Sequence, residues 1–148
     1  MDHVNDSMYS LNQDNTYTLS KYNGTDAIPE IFREKPVTII GDFAFCECEL
    51  ASVTIPFSIK TINHFAFHKS KLTSIHIPDS VTSIGDFAFS QCSELTSITI
   101  PNSVETIGNF AFSGSGLTSA VIPKTTLIGD GIFCDTCMNT SMNNELRL

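Results

Sequence analysis

Charge is what this sequence lacks most. Charged residues make up 16% of its 148 positions, against roughly 25% in an average soluble protein, and Ser, Thr and Asn take their place. Basic residues are the scarcest: 8 Lys and Arg stand against 16 Asp and Glu, a net charge of −8. Such a surface repels a phosphate backbone overall, and no Lys/Arg run supplies a local exception, so nucleic acid is not an expected partner. No apolar stretch approaches the roughly 20 residues that a bilayer-spanning helix needs, so membrane insertion is not expected either. The first residues, Met1-Asp-His-Val-Asn-Asp-Ser7, contain neither the basic nor the apolar part of a secretory leader, and Glu145-Leu-Arg-Leu148 is no prenylation signal. Taken alone, these absences imply a soluble cytoplasmic chain. Catalytic patterns are missing too. No serine has His and an acid at triad-like spacing, no Gly-rich phosphate loop occurs, and the histidines at 3, 64, 68 and 76 form no ligand set. The expectation is therefore no catalytic residue, no metal and no cofactor.

What is present is repetition. An aromatic-Ala-aromatic triplet occurs as Phe43-Ala44-Phe45, Phe65-Ala66-Phe67, Phe87-Ala88-Phe89 and Phe110-Ala111-Phe112, starting 22, 22 and 23 residues apart. Apolar-x-apolar-Pro ends at Pro56, Pro78, Pro101 and Pro123, and a leucine recurs at Leu50, Leu72, Leu95 and Leu117, both in steps of 22, 23 and 22. Three columns in one register identify a solenoid in which each coil is a supersecondary unit.

Within one coil, Ser74-Ile75-His76-Ile77 alternates polar and apolar and reads as a half-buried strand. Pro78 stops it, because proline cannot donate to a ladder. Asp79-Ser80 turns the chain, Val81 and Ile84 point inward, and Gly85-Asp86 opens the Phe87-Ala88-Phe89 segment. That segment is short enough for one helical or 3₁₀ turn, and both of its rings are expected inside the coil. Parallel strands on a concave face, about 4.8 Å apart, with turns on the convex return path, complete the expected fold.

Leu72-x-x-Ile75-x-Ile77 followed by Val81-x-x-Ile84-Gly-x-Phe-Ala-Phe resembles the BspA-like class of leucine-rich repeat. The resemblance covers roughly residues 37 to 133 and implies an interaction protein, with adhesion or host contact at a cell surface as the implied setting. The position often held by Asn in leucine-rich repeats is Ser58, Ser80, Ser103 and Thr125 here, so no asparagine ladder is expected. Residues 1–33 read as an N-terminal cap or loose arm with a degenerate first strand at Ala27-Ile28-Pro29. Residues 34–133 read as about four full coils and a partial fifth, and 134–148 as a polar tail.

The five cysteines are an odd count without a secretory leader, which favours free thiols. Cys48 and Cys92 occupy equivalent places two coils apart, about 9.6 Å at the usual strand spacing, too far for a disulfide. They read as small buried hydrophobes. A zinc site joining Cys46 and Cys48 to Cys134 and Cys137 would have to span about 19 Å by the same spacing and is excluded by the short Zn–S bond. The Cys134/Cys137 pair leaves a terminal redox or intermolecular disulfide open. Sequons at Asn5, Asn23 and Asn139 are of the number expected by chance in so Asn-, Ser- and Thr-rich a chain.

With Val53/Ile55, Ile75/Ile77 and Ile98/Ile100 inward, strand alternation turns Ser52, Thr54, Ser74, His76, Ser97, Thr99, Ser119 and Val121 outward. This small, neutral, hydroxyl-rich concave face is the expected binding site, for a protein partner or alternatively a glycan. A structural or self-associating fragment of a larger array, pairing through its C-terminal edge at Ala120-Val121-Ile122, is the second reading. A thiol or metal protein built on Cys134 and Cys137 is the third.

Overall fold

The computed structural model describes residues 8–22 and 27–136. Ten short strands are present: β1 (Tyr9–Leu11), β2 (Tyr17–Leu19), β3 (Ile31–Phe32), β4 (Lys35–Ile40), β5 (Thr61–Ile62), β6 (Ser83–Ile84), β7 (Ser97–Thr99), β8 (Thr106–Ile107), β9 (Ser119–Val121) and β10 (Leu127–Ile128). They form a parallel β-solenoid in which each coil has three sides.

The main sheet runs β1-β2-β4-β5-β6-β8-β10. From β2 onward it is parallel and keeps the repeat register, with Leu19, Ile40, Ile62, Ile84, Ile107 and Ile128 in one column. This sheet is not the one expected from the apolar-x-apolar-Pro segments. It uses the residue pairs ending in Ile just before Gly41, Asn63, Gly85, Gly108 and Gly129, which the sequence places on the return path. On the apolar-x-apolar-Pro side only β7 and β9 pair as strands. Ala27 and Thr54 form an isolated bridge, and Ser74-Ile75-His76-Ile77 has no strand pairing. Proline ends every segment on that side and removes a donor, whereas the Thr-Ile-Gly segment keeps all of its N–H groups.

The Phe-Ala-Phe segments form the third side, and they are hydrogen-bonded turns rather than helix. A helical turn needs consecutive right-handed residues, but the first Phe of every triplet is left-handed: φ is 58° at Phe43, 54° at Phe65, 55° at Phe87 and 54° at Phe110. Four residues later Glu47, Lys69 and Gln91 are left-handed again, at 55–57°. Between them, N–H groups alternate in direction. Ala44, Cys46 and Cys48 donate locally to Gly41, Phe43 and Phe45, while Phe43, Phe45 and Glu47 donate to His64, Ala66 and His68 of the next coil. Every donor is thus satisfied without helix.

The core is a stack of identical layers. Phe45, Phe67, Phe89 and Phe112 are at most 1% exposed. Their rings stack face to face at 4.8, 5.1 and 5.5 Å, and Phe133 extends the stack at 5.8 Å. At the other end Tyr22 lies 4.7 Å from Phe45 and donates its N–H to the Ala44 carbonyl. Residues 17–22 therefore supply the main-sheet side and the start of the turn side of a coil ahead of the first triplet. Tyr9, Tyr17 and Phe32 close that end, with Tyr9 stacked on Phe32 at 4.1 Å and Tyr17 edge-on to both. Ile28 donates to the Thr54 carbonyl, and β3 and β4 form an antiparallel hairpin between this degenerate strand and the main sheet.

Candidate functional site

The eight positions Ser52, Thr54, Ser74, His76, Ser97, Thr99, Ser119 and Val121 are all exposed, along the first side of the coils. The inward partners Val53, Ile55, Ile77, Ile98, Ile100 and Ala120 are buried; Ile75 is half-buried. Backbone alternation does this at β7 and β9. In the unpaired coils the Pro56 and Pro78 columns hold the same orientation, since proline restricts the residue before it to extended geometry. Three of the eight, His76, Thr99 and Val121, share a shallow cleft of about 370 Å³ with Asp79, Asn102, Pro101 and Pro123. Its floor is apolar, from Ile77 and Ile100 and the two prolines, and its rim carries an imidazole, a carboxylate, an amide and a hydroxyl. Asp79 and Asn102 were not in the expected set. They occupy equivalent turn positions directly after Pro78 and Pro101, which is the signal that would have found them.

A second constellation lies where the main sheet meets the turns. His64, Asp86, Asn109 and Asp130 occupy one column, and each of the first three side chains accepts the backbone N–H of the next. His64 Nδ1 accepts from Asp86 at 3.0 Å, Asp86 Oδ1 from Asn109 at 2.7 Å, and Asn109 Oδ1 from Asp130 at 2.8 Å. This column carries the polar ladder; the expected position for one does not. There Ser58, Ser80 and Ser103 bury hydroxyls without a protein partner. The sequence signal for the ladder is His, Asp or Asn directly after the column formed by Asn63, Gly85, Gly108 and Gly129.

One expectation about the core is overturned. Only the second ring of each triplet is inside. Phe43 is 54% exposed and Phe65, Phe87 and Phe110 are half-buried. They form an outer stack with centroids 4.8, 4.8 and 5.2 Å apart and planes within 14° of parallel. The left-handed backbone at the first Phe swings its side chain outward, which triplet spacing alone cannot reveal. A bulky residue in that conformation costs of order 1 kcal/mol or more. The fifth coil has Gly131 here at φ 61°, which meets the same geometry without the penalty.

The described thiols are all free. Cys92 is fully buried, donates to the Phe67 carbonyl at 3.0 Å and contacts Ser70 Oγ at 3.3 Å; burial pushes its pKa up to about 11. Cys48 is half-buried against the core. Cys134 is exposed, and the neighbouring Asp135 raises its pKa, so neither Cys92 nor Cys134 is set up as a thiolate. Cys137, His3 and the sequons at Asn5, Asn23 and Asn139 lie outside the described residues. Among the described residues no group of three or more His, Cys, Asp or Glu is placed to hold a metal, and no helix is long and apolar enough to cross a membrane. On the turn side, burial together with the Lys69 charge lowers the pKa of His68. Its Nδ1 lies 2.6 Å from Ser90 Oγ, which donates to the Phe87 carbonyl.

The model of the BspA-type leucine-rich repeat region matches six copies over residues 18–140. The chain belongs to this family. Six copies agree with a solenoid that begins near β2, ahead of the first Phe-Ala-Phe triplet. Among solved structures, the BspA-type chain is similar to a leucine-rich repeat protein from Bacteroides ovatus, with 34% identity over 84% of this chain and 36% of that one, at a TM-score of 0.73. A leucine-rich repeat protein from Bacteroides capillosus gives 31% identity over 78% of this chain and 92% of that one, at a TM-score of 0.68. The pneumococcal vaccine antigen PcpA shares the fold, with 23% identity over 88% of this chain and 45% of its own length, at a TM-score of 0.67. The BspA-type chain thus spans nearly all of one of these solved structures and less than half of the other two. No curated protein matches it.

Proposed function

We propose that this BspA-type repeat protein is a non-enzymatic interaction module that holds a protein partner on the first side of its coils. The observation that carries this reading is the row of eight exposed residues, backed by buried side chains, three of which, His76, Thr99 and Val121, line one cleft. A rigid floor with a small number of polar groups at fixed spacing provides shape and hydrogen-bond recognition at little cost in ordering. The cleft is shallow, so the interface belongs at the small end of the usual range.

Replacing Thr54, His76 and Thr99 together with Glu tests this. All three side chains are exposed, so the melting temperature should stay within a few degrees of the parent. Binding to a partner seated on this face should fall at least tenfold, read by calorimetry with the identified partner. Full binding by the folded triple variant would remove the first side from consideration.

A second reading, self-association, is favoured by one observation. At the C-terminal coil Leu127 is 73%, Val121 61% and Ile128 38% exposed, and β9 and β10 each have one strand neighbour among the described residues. An unpaired apolar edge is a template for another chain. Hydrogen exchange should then find Ala120 to Ile122 less protected than Ile98 to Ile100 in dilute protein, with protection rising with concentration. Equal and concentration-independent protection of the two strands would refute this reading.

A further inference from the structure

The fold does not require the outer phenylalanine in every coil. The second rings already fill the core, and Gly131 shows that this column can do without a side chain. Four successive coils nonetheless place a Phe there, in a backbone conformation that disfavours it, with Phe43 exposed and the other three rings partly open to solvent. Strain and exposed aromatic surface repeated in register are what a recognition surface retains and a scaffold sheds.

The flanks of the stack are mainly acidic. Asp42, Asp86 and Asp130 line it on one side, and Glu47 and Asp135 on the other, against Lys69 alone among the basic residues of these columns. We infer that the stripe Phe43-Phe65-Phe87-Phe110 is a docking surface for a basic amphipathic helix of a partner protein. The ring spacing of 4.8–5.2 Å approaches the 5.4 Å pitch of an α-helix, so apolar residues recurring each turn meet successive rings. Lysines and arginines beside that apolar seam then face the flanking carboxylates. A second copy of this chain, with its own net charge of −8, brings like charge to the stripe, and an anionic lipid surface does the same.

The test uses the intact protein and three labelled synthetic peptides of equal length. One is a Leu/Lys helix with its leucines on one face, one has the same composition scrambled to destroy that face, and one has Glu in place of Lys. Fluorescence anisotropy should show saturable binding of the first alone, weakened by salt. Phe43→Asn, Phe65→Asn and Phe87→Asn in one chain, a residue that tolerates left-handed backbone, should weaken it about tenfold or more. Asp42→Asn with Asp130→Asn, neither of which makes a side-chain hydrogen bond within the core, should weaken it several-fold and flatten the salt dependence. If the Phe variant fails to fold, the Asp variant decides. The Glu triple variant of the first side should bind the peptide as the parent does, so failure here and failure of the first-side reading are distinguishable. Equal binding of the scrambled or acidic peptide, unchanged binding by the folded Phe variant or by the Asp variant, no saturable binding, or preferential binding of phosphatidylglycerol vesicles would each overturn the inference.

Discussion

Phe89→Ala is expected to lose about 3–5 kcal/mol of stability, the usual cost of truncating a fully buried Phe, whereas Phe87→Ala, two residues away, should lose only about 1–2 kcal/mol. The two rings differ in where the backbone sends them. Phe89 has no exposed surface and is stacked between Phe67 at 5.1 Å and Phe112 at 5.5 Å. Its removal opens a void in the middle of the stack that both adjacent coils share, so the damage propagates through nearest-neighbour interfaces. Phe87 forfeits two outer ring contacts, to Phe65 and Phe110, but leaves no interior void. Parallel chemical denaturation of the two variants checks this. Equal losses would mean that the outer stack holds the solenoid together as strongly as the inner one.

Gly116→Ala is expected to cost about 1–3 kcal/mol, the range for overpacking a site that cannot relax freely. A Cβ on Gly116 would meet the Ser93 carbonyl oxygen at 2.1 Å and its carbon at 2.9 Å. These are backbone atoms, held in place by neighbouring hydrogen bonds, among them Ser93 to Gln91 and Gly116 to Cys92. The cause is the one longer coil. Between Cys92 and Leu95 there are two residues, Ser93 and Glu94, where the coil before has Lys71 alone between Ser70 and Leu72. The extra residue bulges toward the next coil, and glycine there makes room for it. Deleting Ser93 in the Gly116→Ala background should therefore recover most of the loss. A double variant no more stable than Gly116→Ala would show that the bulge is not what demands the glycine.

The columns of Phe, Leu and Pro make the solenoid and its register legible from the residues, because identical layers must repeat identical core residues. Which of two phenylalanines is inside is not legible that way. Phe87 and Phe89 are two apart, which in a strand would put them on one face and in a helical turn would spread them; the left-handed residue between these possibilities sends one in and one out. The main sheet was hidden for a related reason. Ser83-Ile84 and Thr106-Ile107 are too short to show alternation, while Ser74 to Ile77 displays it clearly and yet has no strand pairing. The outward orientation of the eight first-side residues followed directly from alternation. Asp79 and Asn102 fall outside that pattern because they lie in the turns after proline. The His64-Asp86-Asn109 ladder needed three-dimensional stacking to be seen, since each member bonds a residue one whole coil away.

The alternating donors of the third side bear on how such a chain can grow. Phe45, Phe67, Phe89 and Phe112 point their N–H groups toward the following coil, whereas Gly41, Asn63, Gly85, Gly108 and Gly129 on the main sheet point theirs toward the preceding one. In an α-helix all peptide dipoles add, and each end carries a fraction of a charge. Here the axial dipoles of two sides oppose each other within every coil. Adding coils then builds up little electrostatic imbalance between the ends, so dipole build-up sets no limit on array length.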